Sequence, residues 1–295
     1  MIDQATTLRL MAAYNGGQTE LPSMARMRTL AVTSGKGGVG KSNLAVNVSL
    51  ELAALGHRIS LFDADLALAN ADVLLGLNPR YHLGHVLAGQ RKIDEVLIEV
   101  DQGLHLIPGG SGGEELANLT QAQQSHLMEE IQTLKADCMI IDTAAGIAEN
   151  VTGVLRAADE IIVVTTPDPT SVVDSYAMIK VLCQQAMDKP ISIVVNDVVG
   201  LGDAERVFSH LQTAAMRFLN YRLSHLGTIP RDAELAEAVR EQVPVVRYAP
   251  NAPSSRALRL IARQLDHHHI PWQASAKAGR TFLSTIAAPE ALRSH

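Results

Sequence analysis

Gly35-Lys36-Gly37-Gly38-Val39-Gly40-Lys41-Ser42 follows the apolar run Leu30-Ala31-Val32-Thr33 and opens a helical pattern at Asn43. It has the form G-x-x-x-x-G-K-[ST], in the strand–loop–helix setting that a phosphate-binding loop requires. Glycines leave room for successive backbone N–H groups to curl around an anion. The helix N-terminus adds partial positive charge. Lys41 is expected to reach the β- and γ-phosphates, and the Ser42 hydroxyl to ligate Mg²⁺.

Outward from this loop the chain alternates short apolar runs with helical patterns. Strands are predicted at Leu30–Thr33, Arg58–Phe62, Leu104–Ile107, Asp137–Ile141, Glu160–Thr165, Ile191–Asn196 and Leu223–Ile229. Helices are predicted at Lys41–Leu55, Thr120–Leu134, Val151–Ala157, Thr170–Gln185, Asp203–Leu219, Asp232–Glu241 and Ser254–Leu265. Such alternation defines an α/β fold, a mostly parallel sheet with helices on both faces. Nucleotides bind such sheets at the carboxyl ends of the strands, where the chemistry-bearing residues fall. Asp63 and Asp65 end the second strand, placed either to face Mg²⁺ and an attacking water or to form an Asx turn. Asp142 ends Cys138-Met139-Ile140-Ile141, as a carboxylate reaching Mg²⁺ through water requires. Asp168 and Thr170 have an ordinary helix N-cap reading.

Lys36 adds a second lysine at the start of the loop, on the outer side of the site, in reach of a second protomer's nucleotide. With it the loop resembles the deviant-Walker-A ATPases of the MinD/ParA family, a resemblance covering about Arg28 to Asp266. It implies a P-loop ATPase that binds ATP and Mg²⁺, dimerises in the ATP state and hydrolyses slowly. By resemblance Lys36 acts in trans on the partner's phosphates, with Lys41 and Asp65 completing the catalytic set. The string Asp63-Ala64-Asp65-Leu66-Ala67-Leu68-Ala69-Asn70 resembles switch I. There Asp65 positions the water, Asp63 acts near the metal with Ser42 and Asp142, and Asn70 lies near the dimer face. Ala67 replaces the glycine usual in one branch and stiffens the switch slightly. Asp142-Thr143-Ala144-Ala145-Gly146 resembles switch II, with Gly146 following the γ-phosphate. Asp174 is expected at the dimer face. Besides Gly35 to Asn43, the implied nucleotide set includes Asn196, whose amide meets adenine, and Pro230, in the loop Gly227-Thr228-Ile229-Pro230-Arg231-Asp232 packing on the base. The absence of N-K-x-D after the Asn196 strand favours ATP over GTP.

Residues 1–27 read as a short helix and linker, either a frayed tail or a partner-binding segment. Asp3-Gln4-Ala5-Thr6-Thr7-Leu8-Arg9 resembles the D-Q-A-x-x-L-R segment of the family's flagellar-number regulators, the FlhG/FleN-like branch. That branch implies an FlhF-type GTPase as partner through Asp3, Gln4, Ala5, Leu8 and Arg9, and a flagellar transcription regulator as a second. Other branches imply division-site or partition ATPases.

The 295 residues are 47% hydrophobic and 19% charged, as a globular α/β chain requires, and the net charge of −6 counts against a broad nucleic-acid footprint. Cys138 and Cys183 read as buried, reduced thiols of a cytoplasmic protein, and cannot supply an iron–sulfur site. Ser254–Leu265 is basic and amphipathic, a core-facing helix. The tail 267–295 carries Phe282, Leu283, Ile286 and Leu292. The branch implies membrane contact there, at the inner face of the cell membrane. Pro289 and sparse basic residues make it a weak one.

Overall fold

The computed structural model describes residues 27–65, 70–110, 127, 129–131, 133–185 and 189–267. The apolar runs become β1 (Arg28–Thr33), β2 (Ile59–Ala64), β4 (Leu104–Ile107), β5 (Cys138–Thr143), β6 (Glu160–Thr165), β7 (Ile191–Val198) and β8 (Ser224–Pro230), joined by an edge strand β3 (Ile98–Asp101). They form one eight-stranded sheet in the order β3-β4-β2-β5-β1-β6-β7-β8. Every neighbouring pair is parallel except β3 with β4.

Helices cover both faces. The long ones are α1 (Lys41–Ala54), α5 (Glu149–Ala157), α6 (Pro169–Gln184), α7 (Leu201–Leu219), α8 (Ala233–Arg240) and α10 (Pro253–His267). Between them lie the short α2 (Ala71–Leu74), α3 (Leu83–Leu87), α4 (Ile93–Val96) and α9 (Val245–Tyr248). Side chains alternate across a strand, so β1 sends Leu30 and Val32 into the core of α1 and α10, and Ala31 into the core of α5, α6 and α7. A third cluster packs Phe62, Met139 and Ile141 against α3 and α4. β1, β5 and β6 are buried along their whole length. That is why they read as near-continuous apolar runs.

The structure moves some boundaries and adds elements. β7 continues past Asn196 to Val198, and β8 begins one residue later than expected. Arg58 lies before β2, its Nε 3.2 Å from the Asp137 carboxylate. β3 alternates half-buried and exposed positions over only four residues, too few for a period to register. The short α2, α3, α4 and α9 escape notice because one turn cannot display a 3.6-residue period. Of the helix predicted over Thr120–Leu134, Leu127 and Ile131 are helical and buried, while most of it lies outside the described residues. Also outside them are the N-terminal segment with Asp3, Gln4, Ala5, Leu8 and Arg9, switch residues 66–69, and the tail 268–295.

α10 is core-facing as expected. Leu258, Ile261 and Leu265 are buried, and Arg259 pairs with Glu51. Cys138 is fully buried, its thiol pushed up to about 12 by loss of water. Cys183 is only half-buried, a departure from expectation that follows from its place on α6 near the helix end. No helix among the described residues is long and apolar enough to cross a membrane.

Candidate functional site

The loop between β1 and α1 sits where β2, β5, β6, β7 and β8 also present their carboxyl ends. Two glycines are dictated by the geometry. Gly40 caps α1 with φ 95°, in the left-handed region, and a β-carbon there would collide with the Asn196 amide. A β-carbon at Gly35 would strike the backbone of Asp174 on α6. Asp174, expected at a dimer face, thus fixes the start of the loop through its main chain. Asn196 clamps the loop from beneath, its Nδ2 donating to the Val39 carbonyl at 2.8 Å. The amide expected at the base thus also shapes the cradle, with one N–H engaged in that contact.

Lys41 is buried, 7% exposed. Near it lies Asp142, fully buried at the end of β5, with neither carboxylate oxygen meeting a hydrogen-bond partner of ordinary geometry. Burial raises Asp142 to about 7; the neighbouring Ser42 hydroxyl and Lys41 ammonium oppose that rise, and Asp63 and Asp65 add to it. A buried carboxylate with no hydrogen bond of ordinary geometry, beside a serine hydroxyl and a glycine-rich cradle, fits a divalent cation. The cation would supply the missing positive charge and take its remaining oxygens from phosphate and water. Among the described residues no cluster of three or more His, Cys, Asp or Glu side chains forms a self-sufficient metal cage.

Asp63 pairs with Asp142 across the β2–β5 ladder. Its carboxylate accepts from the backbone N–H groups of Asp65 (3.1 Å), Asn70 (2.9 Å) and Ala71 (3.0 Å). Burial raises it to about 6 against the pull of those three donors. Asp63 is thus the knot of the loop that follows β2, and the Asx-turn reading holds. Asp65, Asn70, Lys41 and Ser42 line one cleft of about 580 Å³, beside Ala144 and Ala145. The Gly146 N–H donates to the Ser34 carbonyl at 2.9 Å and seats the loop after β5 against the start of the phosphate loop.

Lys36 points the other way. Its Nζ lies 3.0 Å from Asp168 Oδ2 and 2.7 Å from Thr170 Oγ1, with the side chain 42% exposed. Asp168 also caps α6, accepting from the Thr170 N–H at 2.9 Å. Lys36 and the two N–H and O–H donors of Thr170 hold its carboxyl below the usual range. The N-cap reading of these residues is correct, but their hold on Lys36 was not legible: nothing in the spacing links positions 132 apart. A second cleft of about 430 Å³ opens beside Lys36 and runs to Asp197 and Arg231. Gly37 and Gly38 line both clefts. Pro230 ends β8, and the next N–H, that of Arg231, donates to the Val198 carbonyl. The Asp197–Arg231 pair was also missed, because it depends on a local backbone turn at Asp197.

Residues 30–245 match the CobQ/CobB/MinD/ParA nucleotide-binding domain. The chain belongs to that family, and its fold is that of the MinD/ParA P-loop ATPases. It is 36% identical to the antiactivator FleN of Pseudomonas aeruginosa, over 85% of this chain and 91% of that protein. It is 33% identical to the flagellum site-determining protein YlxH of Helicobacter pylori, over 89% and 90%. Among solved structures, the septum site-determining protein MinD complexed with Mg-ADP, from Pyrococcus horikoshii, superposes with a TM-score of 0.68 at 25% identity, over 82% of this chain and 97% of that one.

Proposed function

We propose that this protein is an ATP-dependent dimerising switch that hydrolyses ATP slowly and regulates flagellar number or placement. The observation that carries the switch reading is the opposite disposition of the two loop lysines. Lys41 is buried toward Asp142, whereas Lys36 is held outward on Asp168 and Thr170. An inward lysine suits the protein's own phosphates; an outward one suits a second protomer's. Exposed Ile147 and Val173 carry apolar surface beside switch II and on α6 (52% and 66%), as a protomer contact requires. The flagellar role rests on the FleN and YlxH relatives.

In this account Ser42 and Asp142 would hold Mg²⁺, with Asp63 stabilising the nearby switch. When bound, the ion neutralises phosphate charge that the loop alone cannot. Asp65 orients the water. Lys36, released from Asp168, neutralises developing charge across the interface, a role paralleling an arginine finger, worth on the order of 10³–10⁵ in rate. Asn70 and Gly146 carry the γ-phosphate state to the surface through the two switches. Residues 1–27 would engage an FlhF-type GTPase, and a flagellar transcription regulator would read the dimer.

The test is twofold. Asp65→Ala should lose Mg²⁺-dependent ATP turnover while keeping ATP-bound dimers; unchanged turnover removes Asp65 from the mechanism. Full-length protein should stimulate GTP turnover by an FlhF-type GTPase, and a Gln4→Ala/Leu8→Ala variant should not. Equal stimulation by both would dissociate the N-terminal segment from the partner.

A further inference from the structure

We propose that the Asp197–Arg231 pair is a purine selector that rejects guanine, resting on the nucleotide reading above. Asp197 is non-glycine yet has φ 58°, in the left-handed region. It lies where the β7–β8 register shifts between Val195 and Val198. Among the described residues, the two other non-glycine residues with positive φ, Asn220 and Gln242, lie just past helix ends, where that conformation is ordinary. Asp197 sits at the end of a strand facing a cleft, and backbone strain of this kind persists where the surroundings enforce it.

The side-chain pairing at this position is bidentate and lies at the exposed rim of the cleft. Arg231 Nε donates to Asp197 Oδ1 and Nη2 to Oδ2, both at 2.7 Å. The Arg231 N–H donates to Val198 O at 2.9 Å, so main chain and side chain tie the two strand ends together. The guanidinium holds the Asp197 carboxyl below its usual range. Both residues line the cleft that begins at Gly37 and Gly38 of the phosphate loop. A base extending from phosphates on that loop along this cleft meets the pair.

A carboxylate at a base site favours guanine, whose N1–H and N2–H are adjacent donors matching its two oxygens; adenine offers its exocyclic amine alone. Here both oxygens already accept from Arg231. Guanine would have to displace a bidentate charged pair, whereas adenine makes no such demand. Specificity is then set against the competitor, by spending the carboxylate on an internal partner.

The experiment measures ADP and GDP affinities, diphosphates being chosen to keep the protein monomeric, for the wild type, Arg231→Ala, Arg231→Lys and Arg231→Ala/Asp197→Asn. Thermal melts without nucleotide confirm that each variant is folded. Arg231→Ala should lower the ADP-over-GDP preference at least tenfold, chiefly by tighter GDP binding. Arg231→Lys, which keeps the charge but not the fork, should fall between, and the double variant should recover most of the preference. An unchanged ratio in Arg231→Ala overturns the proposal, as does an equal change in the double variant. Wild-type protein that binds neither diphosphate overturns the nucleotide reading itself; wild-type binding with no change of ratio overturns only the selector.

Discussion

At the scale of single residues the site buries carboxyl groups that would ionise freely in water. Asp142 titrates at about 7 instead of the ordinary 3.8, through burial. A carboxyl raised in the folded state binds its proton there at pH values where the unfolded chain has lost it. Its ionisation therefore weakens the nucleotide-free fold as pH rises from about 4 to about 7, with the full penalty above 7. The difference corresponds to roughly 4 kcal/mol at most. Asp142→Asn should accordingly raise the melting temperature of nucleotide-free protein at pH 8 and change it little at pH 4, while abolishing stabilisation by Mg²⁺ and ATP. Destabilisation at pH 8 would show that the carboxylate has a compensating partner. Gly40→Ala tests the cradle: left-handed φ together with the Asn196 contact should cost about 1–3 kcal/mol and remove nucleotide binding. The loop's chemistry was legible in the sequence because one motif lies within eight consecutive residues. The partners of Lys36, the clamp by Asn196 and the turn at Asp197 were not. Each joins residues far apart in the chain, and none leaves a periodic trace.

At the scale of elements, two devices hold the loops around the site. Asp63 ties the end of β2 to the start of α2 through three backbone donors. Asp63→Ala leaves those N–H groups without their acceptor, so hydrogen exchange at Asn70 and Ala71 should accelerate more than tenfold, with smaller changes in β5. Uniform protection across the switch would mean that another group holds it. Asp168 both caps α6 and holds Lys36. Asp168→Asn keeps a capping side chain but removes the charge facing Lys36, so the variant should dimerise at lower ATP concentration than wild type without losing stability. Reduced dimerisation would instead assign Asp168 to the interface itself. The helical and strand patterns were readable wherever an element spans several periods, as in α1, α7 and β6. They failed at β3 and the one-turn helices, where tertiary packing decides.

At the scale of the whole molecule a buried ion pair ties the sheet together at the amino ends of its central strands, opposite the phosphate loop. Arg28 donates from Nε to Glu160 Oε1 at 2.8 Å and from Nη1 to the Leu265 carbonyl at 2.9 Å. This joins the starts of β1 and β6 to the end of α10. Glu160→Ala removes a buried carboxylate from the Arg28 guanidinium and should destabilise by about 3–5 kcal/mol, read by urea unfolding; a loss under 1 kcal/mol would show that the remaining partners of Arg28 suffice. The fold class followed from the alternation of buried parallel strands and amphipathic helices, since that pattern is set by burial on both faces. How two copies meet could not follow from it, because an interface is a property of surfaces and not of periods.

That meeting is the central claim, and its most direct measurement is the mass in solution, by light scattering, of wild type and Lys36→Ala with Mg²⁺ and a non-hydrolysable ATP analogue. The account predicts a dimer for wild type with the analogue, a monomer with ADP, and a monomer for Lys36→Ala that still binds the analogue. A wild type that stays monomeric, or a Lys36→Ala variant that dimerises normally, contradicts it.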